Sequence, residues 1–264
     1  MAAWTPCPYH GEHRFDADRV VALWDRLHAG DGEPLPGDPA VLRAWAYYHE
    51  GDFQRAMMAG LAAGGAGITL ANQATAVYAC HLEPREATRQ DLLLKAAERA
   101  GEQAAREPGN ANAWFWQAYC VARYCQSISV AQSVAQGLGP RVRDALHRTI
   151  ELLPRHAHGH TALGVFHAET IDKIGALIGS MTYGAKRDIG LRMIREGLRL
   201  NPGSAAVPME AAKALVLLEG EAASEEAAAL WAQAAGRDPL DAVERMHVER
   251  ARVELKVQPS LRPG

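Results

Sequence analysis

The chain has 264 residues, of which 48% are hydrophobic and 6% aromatic, and its formal net charge is −3. This length and hydrophobic content are sufficient for a sizeable core. Basic and acidic residues are dispersed together, so nucleic acid binding is not expected.

The cysteines and the N-terminus indicate the compartment. Cys7, Cys80, Cys120 and Cys125 lack the spacing of a disulfide framework, which suits a reducing environment. No apolar signal-peptide core follows Met1. The sequence therefore predicts a cytoplasmic protein.

Residues 1 to 15 are predicted to form an irregular arm, residues 16 to 257 a single helical domain, and residues 258 to 264 a flexible tail. The arm holds Cys7, His10 and His13, which are potential metal ligands. Zinc sites normally draw a second ligand pair from elsewhere, and no matching pair is evident. We therefore predict no metal, although a metal-binding arm remains the alternative.

Local signals predict the first helices. An amphipathic helix follows Asp16, and Asp38 can cap a helix that begins at Pro39. Gly51-Asp52 turns the chain into the next helix. The segment from Ala56 to Leu82 has no charged residue, but its Gly, Thr, Asn and Gln content favours a buried helix pair over a membrane span.

The glycine cluster in that segment, Gly64-Gly65-Ala66-Gly67, follows a helix and lacks the Lys-Ser/Thr ending of a phosphate-binding loop, so no phosphate site is predicted. Residues 86 to 106 then form a long charged helix. On it, Glu98, Arg99, Glu102 and Arg106 are predicted to form a solvated face.

The next helix, capped by Asn110, concentrates aromatic side chains at Trp114, Phe115, Trp116, Tyr119 and Tyr124. Residues 114, 115 and 116 are about 100° apart around a helix, so they cannot share one seam. Two interpretations stay open: at least one ring faces a pocket or a partner, or the helix is central and all are core.

Two segments contain no Asp, Glu, Lys or Arg, one between Arg123 and Arg141 and one between Lys173 and Lys186. Ordinary surface loops carry charge, so both insertions are expected to be buried against something.

Four histidines lie close together at positions 156, 158, 160 and 167. They make no His-Glu-x-x-His arrangement, and solvated or capping roles are the default for such residues. A metal or acid–base role is the alternative. Beyond them, helices are predicted after the second insertion, from Ser204 and from Ser224, and residues 240 to 257 have the composition of a terminal capping helix.

A repeat connects these elements. Pro108, Pro154, Pro202 and Pro239 are spaced 46, 48 and 37 residues apart, with small or β-branched residues at fixed offsets and bulkier ones beside most of them. The fixed positions are Ala118, Gly164 and Ala212 after the prolines, Ala96, Val142, Gly190 and Ala227 before them, and the bulky Leu146, Ile194 and Trp231. Small residues let two helices approach closely, and large ones fill the space beside them.

This pattern resembles the tetratricopeptide repeat (TPR), in which a proline ends the second helix of each hairpin. Gly51-Asp52-Phe53-Gln54-Arg55-Ala56 is similar to the turn into a second TPR helix, and Leu163-Gly164 fits a first helix. TPR units have about 34 residues, so two units here carry extra residues, and the uncharged insertions are where we place them. The resemblance implies an all-α, TPR-like array of antiparallel helical hairpins, or α-solenoid, with apolar insertions.

Hairpins separated by apolar segments are also similar to the T component associated with TRAP transporters and to the regulator of microtubule dynamics family. The segment from Lys173 to Pro202 carries this resemblance. It implies an array around an apolar cavity, with a role in handling ligands beside a transport protein.

Two functions follow. The first is a non-catalytic scaffold that binds a protein or peptide partner on the concave face. The second is a binder of a small apolar ligand. No cofactor and no catalytic residues are predicted, because no nucleophile, base and orienting residue occur at recognisable spacing. The candidate binding residues are Trp114, Trp116, Tyr124, Ile128, Val134, Leu177, Met181 and Tyr183.

Overall fold

The computed structural model describes residues 3 to 257, so the predicted tail from 258 to 264 lies outside the described residues. Between residues 3 and 257 the chain forms helices and no β-strand, which confirms the all-α prediction. The α-helices are α1 (Ala17–Leu27), α2 (Pro39–Glu50), α3 (Phe53–Ala63), α4 (Gly67–His81), α5 (Glu86–Arg106), α6 (Ala111–Cys125), α7 (Val130–Ala135), α8 (Leu138–Leu152), α9 (Ala157–Ile174), α10 (Ala176–Tyr183), α11 (Arg187–Leu200), α12 (Ala206–Glu219), α13 (Ser224–Ala235) and α14 (Ala242–Val257).

These helices belong to two compact units. Unit 1 consists of Met1–His28, Gly32–Leu152 and Leu240–Val243. Unit 2 consists of Ala29–Asp31, Leu153–Pro239 and Glu244–Gly264. Each unit thus includes one short segment from a distant part of the sequence.

Unit 1 is a stack of three helical hairpins, α2/α3, α4/α5 and α6/α8. Helix α1 packs on α2, and α7, which comes between α6 and α8 in the sequence, packs on α8. Side-chain caps start its helices where the sequence predicts them. The Asp38 carboxylate accepts a hydrogen bond from the Ala40 backbone N–H at 2.7 Å, and the Asn110 side chain accepts one from Ala113 at 3.0 Å. Such caps satisfy N–H groups that have no partner within the helix.

Helices α3 and α4 approach each other at a pair of glycines. A Cβ atom placed on Gly60 would lie 2.5 Å from the carbonyl oxygen of Gly67, and one on Gly67 would lie 2.5 Å from that of Gly60. Gly64 and Gly65 make the intervening turn with φ values of 66° and 50°. The charge-free segment is therefore a closely packed helix pair, as the sequence predicts.

A polar seam joins α4 to α5. The Arg99 guanidinium donates to Asn72 Oδ1 at 2.6 Å and to Thr75 Oγ1 at 3.1 Å, and Gln103 Nε2 donates to Thr69 Oγ1 at 2.9 Å. Burial lowers the pKa of Arg99. Placing Arg99 on a solvated face is therefore wrong, because its long side chain reaches back between the helices while only its charged neighbours stay outside.

Unit 2 contains the hairpins α9/α11 and α12/α13. In the sequence, α10 comes between α9 and α11 and α14 follows α13. At the α9/α11 crossing, a Cβ on Gly164 would lie 2.6 Å from Ile194 Cγ1 and 3.0 Å from the Gly190 carbonyl oxygen. Ile194 itself is fully buried. The repeat pattern of two small residues beside a bulky one is thus confirmed here as a helix crossing.

The C-terminal helix covers the end of the core in unit 2. Ala251 of α14 belongs to the same buried cluster as Met209 and Leu215 of α12 and Trp231 of α13. The predicted terminal capping helix is therefore present, and it keeps the apolar side of the last hairpin out of water.

The short segment Leu240–Val243 belongs to unit 1 and packs on its first hairpin. Asp241 Oδ2 lies 2.7 Å from His49 Nδ1, and both side chains are buried. Ala242 lies against Gly51, where an added Cβ would be 3.0 Å from the Ala242 Cβ. Residues 192 positions apart are thus joined through a buried His–Asp contact.

Candidate functional site

The second uncharged insertion presents apolar side chains to solvent. Leu177 is 75% exposed, Ile178 58% and Met181 81%, and all three lie on α10. Most large apolar side chains in a folded protein are buried. The exposed side chains of α10 therefore form a compact apolar patch, which we call the α10 face.

The geometry of α10 explains why these side chains are exposed. At about 100° per residue, Leu177, Ile178 and Met181 span an arc of about 100°, and Gly179 and Tyr183 lie on the opposite side. Gly179 and Tyr183 are buried, and a Cβ on Gly179 would lie 3.3 Å from Thr170 Cγ2 of α9. The expectation that this insertion is buried is wrong for the α10 face, because a single eight-residue helix can bury only one side against α9.

Two basic residues near the ends of the second insertion form ion pairs within unit 2. Lys173 Nζ lies 3.6 Å from Glu169 Oε2, and Arg187 Nη2 lies 3.3 Å from Glu219 Oε1. Between Lys173 and Lys186 there is no charged residue. The segment that carries the α10 face is therefore uncharged.

The first insertion also contains a short helix, α7, in unit 1. Ser129 Oγ accepts a hydrogen bond from the Gln132 N–H at 3.2 Å, and the Gln132 side chain accepts one from the Ser129 N–H at 3.1 Å. This is a capping box, which starts helices. Val130 and Val134 of α7 are exposed, so the expectation that the first insertion is buried is wrong for α7 as well. The sequence analysis missed both insertion helices, and the Ser-x-x-Gln spacing is the signal that identifies α7.

The aromatic residues of α6 divide between core and surface. Phe115 and Trp116 are buried with ring centroids 5.0 Å apart, and Tyr119 lies 5.2 Å from Trp116. Trp114 is partly exposed and donates from Nε1 to the Pro108 carbonyl at 3.2 Å. The interpretation in which every ring is core is therefore wrong.

The eight candidate binding residues fall into two groups, one in each unit. The unit 1 group consists of Trp114, Trp116, Tyr124, Ile128 and Val134, and the unit 2 group of Leu177, Met181 and Tyr183. Trp116 and Tyr183 are buried within their units, whereas Val134, Leu177 and Met181 are exposed.

The fold has a clear counterpart among solved structures. The chain is similar to a thermophilic TPR protein from Thermus thermophilus, with a TM-score of 0.57 and 17% sequence identity. The match covers 81% of this chain and 97% of that protein. The chain has a TPR-like fold. No family model and no curated protein matches the sequence.

Two further observations describe this TPR-like chain. Within residues 3 to 257, no helix is both long enough and apolar enough to cross a membrane. In the same residues, no three His, Cys, Asp or Glu side chains are grouped as ligands for a metal ion.

The histidine group lies on α9 and before it, and most of its side chains contact the backbone of the TPR-like hairpin α9/α11. His156 is fully buried as the N-cap of α9, where its Nδ1 accepts a hydrogen bond from the Gly159 N–H at 2.9 Å. His160 Nε2 lies 2.9 Å from the Pro154 carbonyl oxygen, and His167 Nδ1 accepts a hydrogen bond from the Lys186 N–H at 3.2 Å. Three of the four histidines thus contact the backbone around α9, as capping residues do.

Burial, reinforced by the neighbouring His158 and opposed by Asp31, lowers the pKa of His156 to about 3. Below pH ~6.5 the unfolded chain protonates this residue while the folded chain does not. As the pH falls from ~6.5 towards the folded-state pKa, we therefore expect His156 to lower the free energy of unfolding by about 1.4 kcal/mol per pH unit. Unfolding in urea between pH 7.5 and 5 measures this slope.

The variant His156→Asn is the matched comparison. Asparagine is a strong N-cap that can accept the Gly159 N–H but does not titrate in this range. The variant should lose less stability between pH 6.5 and 5 than the parent protein. Parallel pH profiles for the two proteins would show that His156 does not carry the effect.

Proposed function

We propose that this protein is a non-catalytic, TPR-like scaffold that binds a protein or peptide partner. The observation that carries the proposal is the α10 face, where three large apolar side chains lie exposed on one side of a short helix. Single exposed apolar residues are ordinary, whereas contiguous apolar patches mark interaction sites. The four free cysteines support a reducing compartment for the scaffold.

Several features of unit 2 favour a protein partner. Stacked helical hairpins use their concave surface for extended binding, and α10 follows directly on α9, the first helix of its hairpin. Lys173 and Arg187 are engaged in ion pairs within the unit, and no charged residue lies between Lys173 and Lys186, so the contact offered at the α10 face is apolar. We therefore propose that the partner lies along the first helices of unit 2 and buries Leu177 and Met181.

The test replaces these two side chains by Gln, a good helix former that keeps the length of Met. Full-length parent protein and the variant Leu177→Gln/Met181→Gln are tagged and isolated from the native host, and co-purified proteins are quantified. We expect the partner to fall at least about tenfold. Burying a Leu or Met side chain contributes about 1.5–3 kcal/mol, and about 1.4 kcal/mol corresponds to tenfold.

The control is Met58→Gln on α3, which removes a Met that is 51% exposed without touching the α10 face. The partner should be retained by this variant, and the same ranking should hold for the purified pair in a binding titration. Equal recovery with all three proteins would contradict the proposed surface.

A second candidate function, binding of a small apolar ligand, is favoured by Trp116. Its indole Nε1 is buried and makes no hydrogen bond with any residue that the structure describes. A buried donor without an acceptor is costly, and a ligand carrying an oxygen would satisfy it. Native mass spectrometry of the protein from its own host should then show a stoichiometric small molecule, and Trp116→Phe should lower its occupancy. A ligand-free protein would exclude this candidate.

A further inference from the structure

The N-terminal arm of unit 1 lies on α3 and α4 as an extended segment held by side chains. The Trp4 backbone N–H donates to Gln54 Oε1 at 3.0 Å, and the Thr5 backbone N–H donates to the Tyr78 hydroxyl at 3.1 Å. Neither residue belongs to a helix, strand or turn. Hydrogen bonds from the backbone of an extended segment to a folded surface are one means by which proteins bind peptides.

An aromatic contact accompanies these hydrogen bonds. The Trp4 ring stacks on the Tyr78 ring with the centroids 4.1 Å apart and an angle of 13° between the planes. Tyr78 is buried, whereas Trp4 is only partly buried and Thr5 is exposed. Trp4 therefore covers the aromatic surface from the solvent side.

Hydrogen bonds fix the Tyr78 side chain, which receives the arm. The Tyr78 hydroxyl donates to Glu83 Oε2 at 2.8 Å, and Arg85 Nε donates to Glu83 Oε1 at 2.9 Å. The hydrogen bonds from Arg85, together with that from Tyr78, lower the pKa of Glu83 to about 2. A carboxylate that stays ionised fixes the hydroxyl as its donor, so an oxygen lone pair of Tyr78 is always presented to the backbone N–H of the arm.

Space remains beside the arm. A cavity of about 240 Å³ adjoins it and is lined by Trp4, Cys7, His10, Asp52, Gln54 and Tyr78 among others. The side chains that hold the arm thus line an open concave site.

The two halves of the arm are held differently. Further along, Cys7 is buried against Gly51, the Gly11 N–H donates to the Glu50 carbonyl at 3.3 Å, and the Phe15 N–H donates to the Glu50 side chain at 2.9 Å. These contacts anchor residues 7 to 15. Cys7 and Phe15 are buried, whereas Thr5 and Pro6 are exposed, and the hydrogen bonds of Trp4 and Thr5 go to side chains of α3 and α4 instead of the end of α2.

We propose that Trp4–Pro6 is a tethered occupant of a peptide-binding site formed by Gln54 and Tyr78, and that this site accepts from a partner an extended segment with an aromatic side chain. The inference rests on the proposed scaffold function but uses a surface other than the α10 face. A tethered segment competes at an effective concentration that reaches millimolar for short flexible links. A partner segment binds by displacing Trp4 while residues 7 to 15 keep the arm in place.

The experiment uses the full chain and a labelled synthetic peptide with the sequence of residues 3 to 9, with serine in place of its cysteine. Fluorescence anisotropy measures binding to the parent protein and to Trp4→Ala. The parent site is occupied by its own arm, so we expect the peptide to bind Trp4→Ala at least about tenfold more tightly. Equal affinity for both proteins, or no binding to the folded variant, would overturn the proposal.

Further variants make the result specific. Thr5→Pro removes the N–H that donates to Tyr78 and should also raise peptide affinity. Adding Gln54→Ala to Trp4→Ala should lower the affinity again, and a peptide with Ala in place of Trp should bind no variant. If Thr5→Pro leaves peptide affinity at the parent value while circular dichroism shows the fold intact, the arm is a fixed part of the fold.

The two proposals fail separately. The variant Leu177→Gln/Met181→Gln should bind the peptide as the parent protein does. A partner that depends on the α10 face, together with a peptide that binds no variant, would remove only the arm proposal. Peptide binding without any partner that depends on the α10 face would remove only the proposed surface of unit 2.

Discussion

Ile194→Ala is expected to lower the free energy of unfolding of unit 2 by about 2–5 kcal/mol. Ile194 is fully buried at the crossing of α9 and α11, against Gly164. Its removal costs the transfer free energy of the side chain and leaves a cavity, since the two helices already touch through their backbones beside it. Hydrogen exchange measured by mass spectrometry over α9 and α11, combined with urea unfolding, gives the decrease in the free energy of unfolding of this unit.

A double-mutant cycle tests whether Gly164 and Ile194 stabilise the crossing of α9 and α11 through their contact with each other. Gly164→Ala alone should also destabilise the unit, because its Cβ would lie 2.6 Å from Ile194 Cγ1. In the Ile194→Ala background the same substitution meets open space on that side and should cost much less. Additive losses in the double variant would mean that the two residues do not share the contact.

Gly60→Ala is expected to have the second large effect, a loss of about 3 kcal/mol or more in unit 1. The new Cβ would lie 2.5 Å from the Gly67 carbonyl oxygen, and a backbone atom cannot move aside as a flexible side chain does. Helices α3 and α4 would have to separate, which weakens every contact along the hairpins that they join.

Gly109→Ala is the matched control for this change. A Cβ on Gly109 would meet no atom within 4 Å, and the residue does not have a positive φ. Thermal unfolding should show Gly109→Ala near the parent protein and Gly60→Ala far below it. Similar losses for both variants would show that the α3/α4 crossing does not require a glycine.

Much of this fold can be predicted from short-range signals in the sequence. Asp38, Asp52 and Asn110 cap helices because each side chain reaches an N–H two or three residues away. The small residues at 164 and 190 fall at fixed distances from prolines, so their role at a crossing follows from the repeat. Such signals involve neighbours or a fixed period, and sequence analysis detects both.

The features that sequence analysis missed depend on distant residues or on the limited area of a short helix. The contact between His49 and Asp241 joins residues 192 positions apart, and no local pattern indicates it. The stack of Trp4 on Tyr78 is likewise a long-range contact. Leu177 was expected inside because the insertion is uncharged, but hydrophobicity does not reveal how much area a short helix can bury.

The role of the candidate residues in binding stays a prediction, but the structure shows where three of them lie. An insertion without charge draws attention to Leu177, Met181 and Tyr183, and these residues do lie on one helix. Which of them is core and which is surface follows from the packing of Gly179 on Thr170, where the missing side chain brings α10 close to α9. The sequence shows the glycine but not the residue that it faces.

The measurement that tests the scaffold function most directly is a hydrogen-exchange footprint of the full-length protein, with and without the partner isolated through it. Burial of the α10 face predicts slower exchange over residues 174 to 185 when the partner is bound, with the Met58 region of α3 unchanged. Protection elsewhere with unchanged exchange over residues 174 to 185 would contradict the account.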